Sequence, residues 1–103
     1  MALLKVFWTE TAVRQRYQIF EYWNNQNQST EYSKKIAIEI NRNTQILKKY
    51  PYAGKKTDYE STRVLFMGHY SLLYRFDDKQ IIIVAFWDNR QDPKKLLTIL
   101  QQK

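Results

Sequence analysis

Two rhythms of apolar spacing divide the chain into extended and helical parts. Between Tyr70 and Arg90, in YSLLYRFDDKQIIIVAFWDNR, the rhythm is that of strands. Ile81 to Trp87 is seven residues without a charge, mostly β-branched or aromatic. That run is too short for a buried helix of ordinary length, so it predicts a central strand buried on both faces. Just before it, Tyr70, Leu72 and Tyr74 alternate with Ser71, Leu73 and Arg75, which predicts a strand with one face partly wet. Asp77-Asp78-Lys79 between the two has the length and chemistry of a hairpin loop, because Asp bonds its own backbone in turns. The core is expected to be this antiparallel pair, which delivers the polar loop Asp88-Asn89-Arg90-Gln91-Asp92-Pro93 to the surface.

Upstream the period lengthens. Lys5 to Trp8 is a short strand, and Thr9 caps a helix with Glu10 set favourably against its dipole. Val13, Tyr17, Phe20 and Trp23, with Ile19, recur at helical spacing and predict a buried stripe ending near Asn24. A second helix begins at Ser29 or Thr30 and buries Tyr32, Ile36, Ala37, Ile40, Thr44 and Leu47 until Pro51 stops it. Tyr52 to Glu60 reads as a polar loop, Thr62 to Met67 as a strand, and Gly68-His69 as its turn into Tyr70. Asp92-Pro93 starts a terminal helix over Lys94 to Gln102. The order is β-α-α-β-β-β-α. It predicts an α+β fold over residues 1–103 as one domain, with two N-terminal helices packed on a small twisted antiparallel-rich sheet and a short C-terminal helix.

Composition narrows the function. The 103 residues contain no cysteine, which removes disulfides, thiolate nucleophiles and cysteine metal sites. No run approaches the roughly 20 apolar residues of a membrane span, and a cytoplasmic, membrane-free protein is expected. Asp77-Asp78 lacks further carboxylates at ligand spacing, so neither a metal nor another cofactor is expected. Seventeen basic against ten acidic residues give a net charge of +7. Such a field favours polyanions or an acidic protein partner.

Four segments stand out in order: Thr9-Glu10-Thr11-Ala12, Lys49-Tyr50-Pro51-Tyr52-Ala53-Gly54, Gly68-His69-Tyr70-Ser71-Leu72-Leu73-Tyr74-Arg75, and Asp88-Asn89-Arg90-Gln91-Asp92-Pro93. In this order and spacing they resemble the RelE/ParE superfamily of bacterial type II toxins. The resemblance implies a chromosomal or plasmid-stabilising toxin that arrests growth and is neutralised by an antitoxin in a hetero-oligomer. RelE-type members cut messenger RNA on the ribosome without metal, whereas ParE-type members inhibit DNA gyrase by binding. Thr62, Val64 and Ser71 stand where the RelE pattern has strand-borne cations, and its C-terminal tyrosine has no match after Arg90. The sequence therefore resembles the ParE side more, with a metal-independent endoribonuclease or a decayed antitoxin-binding module as rivals.

Arg90 is the first candidate for target or phosphate binding, in a loop of hydrogen-bonding side chains with Asn89 beside it. Pairing with Asp88 or Asp92 is the competing role. His69 is the one histidine and so a candidate for acid-base work, yet its place after Gly68 suits a turn. Arg63 and Arg75 fall on neighbouring strands and would form a cationic patch if they shared a face. Lys55 and Lys56 are candidates for phosphate contact, weighed against simple solvation. For a nuclease the catalytic candidates are Arg90, Arg63, Arg75 and His69. Trp8, Trp23 and Trp87 offer stacking surfaces, weighed against places in the core.

Overall fold

A computed structural model describes residues 3–101. Strand β1 (Lys5–Trp8) leads into helix α1 (Glu10–Asn27), and helix α2 (Glu31–Lys49) packs against it. A 3-10 turn (Pro51–Ala53) and strands β2 (Lys55–Lys56), β3 (Arg63–Met67), β4 (Tyr70–Phe76) and β5 (Gln80–Asp88) follow, and helix α3 (Pro93–Gln101) comes last. The expected end of α3 at Gln102 lies outside the described residues. The strands make one five-stranded sheet in the order β1-β5-β4-β3-β2. Only β1 runs parallel to its neighbour, and the other three pairings are antiparallel. The predicted α+β order holds, with β2 as an addition. No helix among the described residues is long and apolar enough to cross a membrane.

Thr9 turns β1 into α1 as predicted. Its hydroxyl accepts the Ala12 N–H at 3.1 Å, while its own N–H reaches the Ile83 carbonyl at 2.9 Å. The helix then outruns its expected end at Asn24. Asn25 to Asn27 stay helical until Gln28 takes the left-handed cap, with φ 49°. Asn24 is held by the Ser33 hydroxyl, which donates to its Oδ1 at 2.6 Å and ties the helices together. The inward stripe is also rotated from the expected one. Ala12 is fully buried and Ile19, Phe20 and Trp23 pack on the core, whereas Val13 and Tyr17 are exposed. On α2, Ile36, Ile40, Thr44 and Leu47 are buried as expected, but Ser33 takes an inward place and Ala37 lies outside. Period alone cannot distinguish the face toward the sheet from an adjacent apolar face toward solvent.

The two helices cover one face of the sheet, where Leu72, Tyr74, Ile81, Ile83 and Phe86 form the main core. On the other face Leu73, Ala85, Trp87 and Leu100 form a smaller cluster with Leu96 of α3. The expected burial of the two central strands is reversed. Tyr70 to Tyr74 of β4 are buried on both faces, whereas Ile82 and Val84 of β5 are only half-buried. The reason is position: β4 lies in the middle of the sheet, and the α3 cluster lies over the later half of β5.

Strand β2 escapes the sequence pattern because it is two exposed lysines on a sheet edge. Lys55 pairs with Val64 and Lys56 with Arg63. Lysine at an edge discourages further pairing by other chains. What positions this segment is a buried hydroxyl. Tyr74, with no exposed surface, donates to the Pro51 carbonyl at 2.7 Å and accepts the Gly54 N–H at 2.8 Å. A side chain at Gly54 has no room, since a Cβ there would lie 2.5 Å from the Tyr74 hydroxyl and 2.9 Å from the Val64 carbonyl. Tyr74→Phe strands the Gly54 N–H and is expected to lose about 1–3 kcal/mol, with Gly54→Ala at least as damaging. Urea unfolding of both variants measures this, and a Tyr74→Phe midpoint equal to wild type would remove the clasp from the account of stability.

Candidate functional site

The loop after β5 is built from its own polar side chains. Asp88 Oδ1 accepts the Arg90 backbone N–H at 2.9 Å, which closes the turn. The Arg90 guanidinium then donates twice to the same carboxylate, from Nε at 2.9 Å and from Nη2 at 2.7 Å. Asn89 is fixed from the other side: its N–H donates to the His69 carbonyl at 2.7 Å, and its Oδ1 accepts the Ser71 hydroxyl at 2.5 Å. The loop is thus anchored to the β3–β4 turn at His69 and to the start of β4 at Ser71.

Aromatic rings flank it. The Arg90 guanidinium carbon stands 5.6 Å from the Trp23 ring and 5.9 Å from the Tyr70 ring, within reach of cation–π attraction. Trp23 Nε1–H donates to the Tyr70 hydroxyl at 2.9 Å, and Tyr70 stacks on Phe86 with centroids 5.3 Å apart. Tyr32 closes the cluster edge-on to Trp23 at 4.9 Å. Helix α1, helix α2, β4 and β5 therefore each contribute a ring.

The charges here are strongly committed. The Arg90 guanidinium holds the Asp88 carboxyl below its ordinary value of 3.8, and Asp88 in return holds Arg90 in its charged form. Burial, reinforced by the neighbouring Tyr32 phenol, pushes Tyr70 up to about 12. Tyr70 is a neutral hydrogen-bonding group at physiological pH, not a base.

Beside this cluster a groove of about 640 Å³ runs between α1, the end of β5 and the start of α3. Gln15, Tyr22, Trp23, Phe86, Arg90 and Lys95 are among the residues lining it. Of the charged and polar candidates only Arg90 lines it, together with Trp23 and Trp87 of the stacking candidates. Asn89 and His69 stand on the loop's other flank, with His69 exposed in a turn whose Gly68 has φ 63°. The expected patch of Arg63 with Arg75 does not form. Arg63 sits opposite Tyr74, so Arg75, one residue further along β4, faces the other side of the sheet. Arg63 donates to the Gly54 carbonyl at 2.8 Å and lies over Tyr52 and Phe76. Arg75 donates to the Thr62 hydroxyl at 3.3 Å over Tyr59. Lys55 and Lys56 are exposed on β2 at the opposite edge of the sheet from β1.

The tryptophans divide as well. Trp87 is buried under α3, Trp8 carries the Arg16 guanidinium 4.4 Å above its ring, and Trp23 joins the Arg90 cluster. Sequence reasoning missed Tyr70 and Tyr32 as neighbours of Arg90, and Gln15 as a wall of the groove beside it. Their signals were those of ordinary core and helix positions, and only packing brings the four elements together. Among the described residues no three His, Cys, Asp or Glu side chains gather as a metal site would require.

Comparison with known proteins bears on the family and the fold. The family model described as "ParE toxin of type II toxin-antitoxin system, parDE" matches residues 6–93. Among solved structures, one described as "Chromosomal ParDE TA system from P. aeruginosa" shares the fold at a TM-score of 0.72 and 19% identity. The match covers 84% of this chain and 96% of that one. No curated protein matches the sequence.

The Asp88–Arg90 pair makes a pH prediction. A carboxylate held low in the folded state stabilises above its unfolded value and ceases to do so as pH falls through the folded one. Because Arg90 is half-exposed, the contribution is expected to be about 1 kcal/mol or less. Asp88→Asn should therefore be destabilised at neutral pH and lose less stability than wild type between about pH 5 and about pH 2. Parallel acid-dependence curves for the two proteins, from denaturant unfolding, would show that Asp88 is not held low.

Proposed function

The chain belongs to the ParE toxin family of type II toxin–antitoxin systems, and from that premise we propose that it arrests growth by binding its target rather than by cutting RNA. DNA gyrase is the target class this reading implies, in the cytoplasm. The observation that carries it is the engagement of the cations. A metal-independent nuclease needs guanidinium or ammonium groups and a proton-transfer group converging on one phosphate. Here Arg90 is bound twice by Asp88, Arg63 and Arg75 lie on opposite faces of the sheet, and His69 sits in a peripheral turn. A surface of this kind is better suited to recognition, with Arg90 held rigid against Trp23 and Tyr70 as a half-exposed anchor of the type enriched at interface centres.

The family also implies an antitoxin. The exposed apolar seam between α1 and α2, where Val13, Tyr17, Phe20, Ala37 and Ile40 line a groove of about 270 Å³, supports a helix of such a partner as its occupant. Exposed Val13 and Tyr17, misplaced as a core stripe, have a use in that role.

Inducible expression in a bacterial host tests the reading. Growth arrest relieved by the neighbouring open reading frame is expected, with unchanged transcript ends and gyrase supercoiling inhibited by the purified chain. Arg90→Ala, at equal soluble protein, is expected to weaken that arrest. New codon-phased transcript ends would establish the nuclease instead, and absence of arrest with intact partner binding would establish a decayed binding module.

A further inference from the structure

Strand β5 is longer than the strand beside it. β1 ends with Trp8 opposite Ile83, while β5 continues to Asp88. On that side, among the described residues, no strand pairs with β5 beyond Ile83. Side chains occupy part of the vacated edge. The Thr9 hydroxyl reaches the Val84 carbonyl at 3.4 Å, and Gln15 Oε1 accepts the Phe86 N–H at 2.9 Å. The Gln15 amide cannot be turned round, because a backbone N–H requires an oxygen facing it. Its Nε2 is consequently held in a buried position, and among the described residues it has no hydrogen-bond acceptor. An orphaned buried donor is costly and calls for an explanation.

The edge also has a definite direction. Asn89 donates toward β4 through the His69 carbonyl, so by alternation Asp88 and Phe86 direct their backbone groups away from β4. With the Phe86 N–H taken by Gln15, the Phe86 carbonyl and the Asp88 N–H face the groove. One residue of a parallel strand bonds the carbonyl of residue i and the N–H of residue i+2. Phe86 and Asp88 have that spacing, and β1 already runs parallel to β5 in the same row. The groove of about 640 Å³ lies along this edge, with Ile19, Tyr22 and Trp23 on its helix wall and Lys95 and Arg90 at its far end.

We infer that this groove receives an extended, carboxylate-bearing segment of the partner antitoxin, which adds to β5 as a parallel strand in line with β1. Backbone bonds to the Phe86 carbonyl and Asp88 N–H set its register, and a shift of the Gln15 side chain as the strand enters brings Nε2 to a carbonyl of that strand. Alternate side chains fall on the aromatic wall. The acidic group is chosen by charge: Asp88 is already neutralised by Arg90, which leaves exposed Lys95 as the cation facing an occupant. The inference rests on the antitoxin reading above, but names a surface separate from the α1–α2 seam.

The test uses the full chain alone and in complex with the product of the neighbouring open reading frame. Hydrogen exchange at the Asp88 amide is expected to be fast in the free chain and slowed about tenfold or more in the complex. Lys95→Glu is expected to weaken the complex about tenfold at low salt, while Lys55→Glu, with the same change in net charge at the far edge of the sheet, changes affinity by less than about twofold. Gln15→Leu provides a second variant whose folding is checked by its melting curve, and loss of affinity with an intact fold is expected. A tight complex with an unprotected Asp88 amide and equal effects of the two lysine reversals would overturn the groove and leave the antitoxin reading standing. Absence of any complex would overturn both.

Discussion

The pairing of β4 with β5, and the single extra residue within it, sets the layout of the whole molecule. Leu73 stands opposite Ala85 and Tyr74 opposite Ile83, so Val84 is left over as a bulge. Strict alternation would place Ile81, Ile83 and Ala85 on one face. The bulge moves Ala85 and Trp87 to the α3 side and Phe86 to the helix side, where it joins Ile81 and Ile83. One residue thus allows a strand to serve two cores. It also lies where β1 stops, so the later half of β5 can end in the polar Asp88–Asp92 loop with no strand along its outer edge among the described residues.

The same strand decides how the charges are used. Because Asp88 is the last residue of β5 and only slightly exposed, its carboxylate is held close to the sheet and captures the first cation that follows it. Arg90 is thereby turned from a mobile charge into a fixed group lying over Trp23 and Tyr70. Arg63 and Arg75 behave similarly, each tied to a carbonyl or hydroxyl and laid over an aromatic ring. A net charge of +7 still gives a long-range field. Near the sheet, however, the guanidinium groups of Arg63, Arg75 and Arg90 brace structure and lie against aromatic rings.

The helices and strands were legible in the chain because each carries a local cause: a Thr9 cap, a proline after α2, an acidic hairpin at Asp77, an uncharged run in β5. The hairpin forms as read, with Asp77 Oδ1 accepting the N–H groups of Lys79 and Gln80. The pairing of Arg90 with Asp88 was legible too, as one of two roles open to that residue. The faces of α1 were not, since Val13 and Tyr17 have the same period as Ile19 and Trp23 and differ only in what lies opposite them. Nor were the lysines of β2, whose strand character comes wholly from the neighbour they bond.

What the sequence by itself determined is therefore the order of elements, their ends to within a few residues, and the polar loop that closes β5. These depend on interactions between residues near in the chain. The tertiary structure alone decided that β1 lies parallel beside β5, that Val84 bulges, that Arg63 and Arg75 part to opposite faces, and that α1 sets Gln15 and Trp23 against the end of β5. Each of those is a contact between separate elements, fixed by competition for one core, and no local pattern encodes its outcome.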